Sequence, residues 1–239
     1  VAIGYQSLSS EDEHGKNVAI GYQSLLSQNA GADAYNVAVG FTAGLSITTG
    51  IKNTIIGGLA GDALVEGGEN VAIGYEALGA EDGHGKNVAI GNEALKVQNA
   101  NADAYNVALG WQAGKAISTG IKNTSIGART MQATTVGQEN VALGYQALFT
   151  NVDGSKSVAI GANSLLSQEP ASAVDMYNTA VGYNSGYSIS TGTLNTIVGG
   201  LAGDALTTGT SNTVLGYGAL STEDTGSRAV AIGYKALLS

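Results

Sequence analysis

The sequence predicts an all-β repeat protein, a β-solenoid in which each repeat forms one coil. Three observations favour this class: a motif of the type Val-Ala-Ile-Gly-Tyr recurs along the whole chain, the repeat is short, and glycine is abundant. The chain has 36 glycines in 239 residues, which is about 15% where roughly 7% is usual. A fixed repeat length indicates a stacked or arrayed architecture, and the length itself selects among the known ones.

The glycine of each motif copy is taken as an anchor, and neighbouring positions are numbered from it. Fourteen anchors divide the chain into steps of seventeen residues, interrupted by two steps of nineteen and one of twenty-one. Four copies make a larger block. We therefore predict a single repeat domain over residues 1–239, with superrepeats at 1–70, 71–140 and 141–212 and a partial one at 213–239, and we expect it to be a fragment of a longer fibre. The anchors are Gly4, Gly21, Gly40, Gly57, Gly74, Gly91, Gly110, Gly127, Gly144, Gly161, Gly182, Gly199, Gly216 and Gly233.

Positions −3 to −1 of each copy predict a β-strand. Large and small residues alternate there with period two, and Val and Ile favour extended backbone. The Asn at −4 and the anchor glycine are turn residues that bound the strand. Seventeen residues are too few for a propeller blade or a leucine-rich repeat but suit one solenoid coil. Strands of successive coils would then lie about 4.8 Å apart.

Both faces of the predicted strand are apolar, with Val and Ile on one and Ala and Gly on the other. A strand of this kind is usually covered on both sides. We expect Val and Ile to pack within the coil, together with the Thr residues that replace Val, such as Thr54. The small Ala and Gly face would then meet a neighbouring chain. Burying three large apolar side chains per coil yields less free energy than ordering all the residues of that coil costs in conformational entropy. We therefore predict an obligate homo-oligomer, which would bury more apolar surface.

The repeated Asn-Val-Ala-Ile-Gly copies resemble the head repeats of trimeric autotransporter adhesins, the YadA-like left-handed parallel β-roll. The segment from Asn140 to Leu148, Asn-Val-Ala-Leu-Gly-Tyr-Gln-Ala-Leu, is similar to the repeat arrays of bacteriophage tail-fibre proteins. The resemblance covers all fourteen copies. It implies a left-handed parallel β-roll of about 14 coils, an intertwined or side-by-side homotrimer, and a place outside the cell on a virion tail fibre or a bacterial surface.

The leading hypothesis is a structural and adhesive fibre segment, a bacteriophage tail-fibre-like shaft that forms a rigid trimeric rod for host or surface attachment. The alternative is a bacterial trimeric autotransporter adhesin head that binds host matrix or glycan. The sequence departs from the adhesin pattern in two ways: its coils have seventeen to twenty-one residues rather than fewer, and it shows no coiled-coil stalk or membrane anchor. We expect the second departure to favour a fibre segment. The predicted partners are the chain itself, as a homotrimer, and a cell-surface glycan or protein receptor.

Other classes are disfavoured by composition. A net charge of −9 argues against a nucleic-acid partner, and the sequence has no run of eighteen apolar residues that would insert into a membrane. The absence of cysteine excludes disulfides and thiolate metal sites. No Ser/His/Asp set is visible, so we predict no enzymatic activity, no cofactor and no metal ligand.

Two columns of residues are candidate sites. A structural ladder at position −4 would pass side-chain amide hydrogen bonds from coil to coil. A surface column at position −5 is interpreted either as interspersed charges or as a polar and aromatic stripe that binds glycan. The ladder comprises Asn17, Asn36, Asn53, Asn70, Asn87, Asn106, Asn123, Asn140, Asn178, Asn195 and Asn212, and the stripe comprises Lys16, Tyr35, Lys52, Lys86, Tyr105, Lys122 and Tyr177.

Acidic turns at residues 11–16 and 81–86 each contain one histidine, His14 and His84. We interpret both as solvated turns with surface histidines, the alternative being a weak cation site. Calcium requires six to eight oxygen ligands, and turns one block apart do not pool ligands within one chain. The aromatic residues at position +1 are interpreted as packing platforms.

Overall fold

The computed structural model describes residues 1–11 and 15–238. These residues form strands, turns and irregular segments without a helix, which confirms the all-β prediction. They build a parallel β-solenoid of about fourteen coils, with one short strand in each. The strands are β1 (Ala2–Ile3), β2 (Val18–Ile20), β3 (Val37–Val39), β4 (Thr54–Ile56), β5 (Val71–Ile73), β6 (Val88–Ile90), β7 (Val107–Leu109), β8 (Thr124–Ile126), β9 (Val141–Leu143), β10 (Val158–Ile160), β11 (Thr179–Val181), β12 (Thr196–Val198), β13 (Thr213–Leu215) and β14 (Val230–Ile232).

The chain divides into two compact units, Val1–Ile121 and Lys122–Ser239. In the first unit β1 to β7 pair in sequence order, each parallel to the next. In the second unit β8 to β14 pair in the same way. The register aligns equivalent repeat positions, as where Val71 pairs with Val88. Each position of the repeat therefore forms a column along its unit.

The turn after each strand depends on left-handed backbone. The anchor Gly74 has a φ of +134°, and a Cβ built on it would clash with the carbonyl oxygen of Gly91 in the next coil. Positions +2 and +4 of the same coil, Glu76 and Leu78, have φ values of 53° and 52°. Residues other than glycine adopt this region at a cost, so packing must hold these side chains in place.

The inner face of the strands is lined by the residue at position −2, which is Ala in most coils and Ile or Val in three. Ala72 and Ala89 are fully buried, whereas Val and Ile at −3 and −1 point outward and are partly exposed. The expectation that Val and Ile pack within the coil was wrong, as was the expectation that the Thr column faces the core: Thr196 and Thr213 are exposed. The reason is space, because side chains from the opposite turn fill the interior of most coils. A larger −2 side chain is buried where the facing +4 residue is glycine, as with Ile55 against Gly61 and Ile197 against Gly203.

The coil interior is filled in two ways. In one type of coil, called the Leu type, a Leu or Met at +4 is buried and position +7 is polar. In the other, called the Gly type, position +4 is glycine and a buried Ile or Leu stands at +7. In the Gly type a Cβ at Gly114 would lie 2.8 Å from Cδ1 of Ile117. The buried Leu-type residues at +4 include Leu25, Leu78, Leu95, Met131, Leu148 and Leu165, and the Gly-type residues at +7 are Ile47, Leu64, Ile117, Ile189 and Leu206.

Candidate functional surfaces

The outer strand face consists of the side chains at positions −3, −1 and +1. It carries Val or Thr, then Ile, Val or Leu, then an aromatic residue in many coils. Leu109 is 44% exposed, and Trp111 is 50% exposed. Because equivalent positions stack, the Ile, Val and Leu side chains at −1 form a continuous apolar column along each unit. The neighbouring columns are mixed: Thr replaces Val at several −3 positions, and the aromatic column at +1 is interrupted at Gly58, Asn92, Ala128, Ala162 and Gly200.

The aromatic residues of this face stack on one another. In the first unit the rings of Tyr5 and Tyr22, and of Tyr22 and Phe41, have centroids 5.3 Å apart and are nearly parallel. In the second unit Tyr217 and Tyr234 stack at 5.8 Å. These five rings pack on one another, which agrees with the interpretation as packing platforms, and the residues remain 43–73% exposed. An extended exposed apolar surface is typical of an interaction site.

The Asn residues at −4 form a buried ladder. The backbone N–H of Asn36 donates to Oδ1 of Asn17 at 2.8 Å, and that of Asn53 donates to Oδ1 of Asn36 at 2.8 Å. The same contact recurs at Asn70, Asn87, Asn106, Asn140, Asn195 and Asn212. The predicted link between coils is thus made by a side-chain oxygen and a backbone amide.

The ladder's Nδ2 groups bond inside the coil. Asn53 Nδ2 donates to the carbonyl oxygen of Gly67, fourteen residues further on, at 2.9 Å. Asn36, Asn106, Asn123, Asn140, Asn178, Asn195 and Asn212 make the equivalent bond. Asn17 donates to Glu11 Oε2 at 3.0 Å instead. Where these bonds form, the column stabilises the stack and is closed to a ligand; the Nδ2 groups of Asn70 and Asn87 are buried without a partner.

Sequence reasoning missed a second buried polar column, at position +7 of the Leu-type coils. Gln98 is fully buried; its Oε1 accepts from Asn106 Nδ2 at 2.6 Å and its Nε2 donates to the Ser118 carbonyl at 3.0 Å. Gln28 makes the same pair of bonds with Asn36 and Thr48. The sequence does contain a signal for this column: a polar residue stands at +7 wherever Leu or Met stands at +4. The correlation is visible only when the two positions are compared with each other.

In the predicted stripe each lysine forms an ion pair with an acidic side chain of the next coil, and we call these groups closed ionic clusters. Lys86 Nζ lies 2.5 Å from Asp103 Oδ2 and 3.3 Å from the Tyr105 hydroxyl, and 5.3 Å from the centre of the Tyr105 ring. The hydrogen bond to Asp103 raises the pKa of Lys86, and the same bond lowers the pKa of Asp103. The cluster recurs as Lys16, Asp33 and Tyr35, and as Lys156, Asp175 and Tyr177.

The remaining stripe lysines also pair with acids. Lys52 lies 3.4 Å from Glu69, and Lys122 lies 3.6 Å from Glu139. The aspartates Asp33, Asp103 and Asp175 were not part of the predicted stripe, and they neutralise its positive charge. This arrangement matches the interpretation of interspersed charges better than that of a glycan-binding stripe.

A separate ionic network lines a groove of about 240 Å³ in the first unit. Lys96 pairs with both Glu76 and Glu93, and Lys115 lies 2.8 Å from Glu93. Hydrogen bonds from Lys115, Lys96 and Gln112 lower the pKa of Glu93 to about 2. Lysines thus neutralise Glu76 and Glu93, whereas Asp62, which also lines the groove, has its pKa raised by burial.

Only the second of the two acidic turns, at residues 81–86, lies wholly within the described residues. Residues 12–14, which include His14, lie outside the described residues. In the second turn Glu81, Asp82 and His84 form the one group of three candidate metal ligands found in the described part of the chain. Glu81 is fully buried, and this burial raises its pKa to about 7.

No protein-family model, curated protein or solved structure matches this chain. Within residues 1–11 and 15–238 there is also no helix with the length and apolar character to cross a bilayer.

Proposed function

We propose that this chain is a structural and adhesive fibre segment, of the bacteriophage tail-fibre type, that assembles as a homotrimer outside the cell. The observation that carries the proposal is the outer strand face. Within each unit it presents an unbroken column of partly exposed Ile, Val and Leu side chains at −1, flanked by Val or Thr at −3 and by an aromatic residue at +1 in most coils. Burying such side chains is worth about 1.5–3 kcal/mol each, and a second and third copy of the same chain offer the same columns in matching repeat spacing.

The number of copies and the left-handed course of the coils come from the resemblance of the repeat to phage fibres and trimeric adhesins. The mechanism is mechanical. Stacked strands, the buried Asn ladder and the filled interior make each unit resistant to bending, and the stripe's closed ion pairs keep its outer surface hydrated. A shaft of this kind would hold a binding tip at a distance from the virion.

The assembly is tested with a matched pair of variants. Leu109, on the outer strand face, and Val97, away from it, are 44% and 40% exposed. We expect the unaltered chain to have three times its chain mass in light scattering. Leu109→Asp should reduce that mass to the single chain, whereas Val97→Asp should leave it unchanged.

Circular dichroism checks that both variants keep their strands. An unaltered chain that is monomeric at micromolar concentration would refute the proposal. So would a Leu109→Asp variant that stays as large as the Val97→Asp control.

A further inference from the structure

The turn at residues 81–84 buries a carboxylate that its own coil does not satisfy. Glu81 stands at position +7 of a Leu-type coil, where most other Leu-type coils have Gln, Asn or Thr, and its side chain is fully buried. Its Oε1 accepts the backbone N–H of His84 at 3.2 Å. Its Oε2 is buried and has no hydrogen-bond partner. A buried carboxylate oxygen without a partner is costly, so another group is expected to meet it.

A second unpaired ligand atom lies beside it. Nδ1 of His84 is also buried and without a partner. One ligand atom from each of Glu81, Asp82 and His84 lies within 4.8 Å of the others. Asp82 is exposed and Glu81 is buried, so the three atoms converge at the boundary between the coil interior and solvent.

The Asn ladder is interrupted at the same place. Both Asn70 Nδ2 and Asn87 Nδ2 are buried without partners, although the Nδ2 groups at most other ladder positions donate to a carbonyl fourteen residues on. At the corresponding place in the first acidic turn, Asn17 Nδ2 donates to Glu11 Oε2, a bond without a counterpart at Asn87. Asn87 follows His84 by three positions. Amide donors beside a ligand set serve to orient carboxylates or water around a metal ion.

A related turn in the second unit shows that this arrangement is local. Glu223 and Asp224 occupy the corresponding positions, but no histidine follows them. Glu223 Oε1 there accepts the backbone N–H groups of Thr225 at 3.2 Å and Gly226 at 2.8 Å. That turn satisfies its acid with its own backbone.

The surrounding charge favours a cation. Asp103 packs against the turn from the next coil, where its Oδ1 accepts Gly85 N–H at 3.3 Å and its Oδ2 pairs with Lys86. The exposed Glu66 lies in the preceding coil, and its N–H bonds to the Asp82 carbonyl at 3.0 Å. Acids outnumber bases around the site, so a positive ion lowers the electrostatic cost of ionised Glu81.

We propose that Glu81, Asp82 and His84 bind one divalent transition-metal ion of the zinc type. Imidazole nitrogen and carboxylate oxygen suit zinc, whereas calcium takes oxygen ligands alone. A tetrahedral zinc ion holds its ligand atoms about 3.4 Å apart, so the side chains need only small rotations to close on it. The sequence favoured a solvated turn and kept a weak cation site as the alternative; the burial of Glu81, which is set by its position in the coil, favours that alternative.

The test uses the full chain carrying His14→Ala, so that His84 is its single histidine, after removal of bound metal with a chelator. Titration with Zn²⁺ in a calorimeter should show one ion bound per chain. Glu81→Gln and His84→Ala should each raise the Kd for zinc at least tenfold. Asp82→Asn, at an exposed position where the fold is not at risk, should also weaken binding.

Glu223→Gln is the matched control, since it removes the corresponding acid from the turn without a histidine, and it should leave zinc binding unchanged. Nitrogen NMR of the imidazole supplies a second readout, in which one ring nitrogen of His84 shifts on zinc addition. Zinc binding that survives His84→Ala and Glu81→Gln would overturn the proposal. Unshifted His84 nitrogens, or calcium binding as tight as zinc binding, would do so as well.

Discussion

The Leu-type and Gly-type coils solve the same packing problem with opposite sequences. In the coil anchored at Gly144, Leu148 at +4 fills the interior and Asn151 at +7 bonds back to the Gly154 carbonyl at 2.8 Å. In the coil anchored at Gly110, glycine stands at +4 and Ile117 at +7 takes the same space. The difference shows that either turn position, +4 or +7, can contribute the large side chain that fills the interior.

The largest expected effect comes from placing a large residue at both positions. Gly114→Leu puts a Cβ 2.8 Å from Ile117 Cδ1 and 3.0 Å from Leu95 Cδ2, and it adds the cost of a left-handed side-chain residue. We expect unfolding free energy to fall by about 3 kcal/mol. The double variant Gly114→Leu/Ile117→Asn copies the Leu-type coil and should recover most of the loss in urea unfolding. A double variant no more stable than the single one would contradict the two-type scheme.

A smaller effect is expected at the polar position of the Leu type. Gln98→Ala removes one of the two hydrogen bonds of Asn106 Nδ2 and the Gln98 bond to the Ser118 carbonyl, which keeps the Asn99 N–H as its donor. Because these groups are buried, the variant should lose about 1–2 kcal/mol. Thermal unfolding of Gln98→Ala beside the exposed control Asn101→Ala measures the loss. Equal melting temperatures would show that the +7 column merely fills space.

The smallest effect is expected outside the coil interior. Lys156 lies 2.6 Å from Asp175 and 3.3 Å from the Tyr177 hydroxyl, and both charged side chains are partly exposed. Exposed ion pairs contribute less than about 1 kcal/mol, so Lys156→Ala should change urea stability by no more than that. A loss as large as that of Gln98→Ala would mean that the stripe, and not only the interior, holds the coils together.

Much of the fold could be predicted from the repeat. The anchor glycines and the alternation of Val, Ala and Ile located each strand, and a short, regular period with glycine at each turn left few alternatives to a solenoid. The Asn and Lys columns could also be predicted, because residues at the same position of a stacked repeat lie above one another. Their partners were less accessible: Asp33 and Asp103 pair with lysines of the preceding coil, and that contact depends on how the longer coils fold back.

The prediction of which strand face points into the coil was wrong. Large apolar residues are usually buried, so Val and Ile were assigned to the interior and Ala to a neighbouring chain. In the structure Ala38 and Ala108 are fully buried, while Leu109 is largely exposed. The sequence showed alternation but not which side faces inward, because a period of two is the same from either face.

By itself the sequence determined the repeat, the class of fold and the columns, since each depends only on spacing and on local backbone preference. The tertiary structure alone decided which columns are inside, how the two coil types fill one interior, and where a buried acid lacks a partner. Those outcomes depend on the width of the closed coil, a quantity that no single repeat contains and that appears only when strand and turn face each other across it.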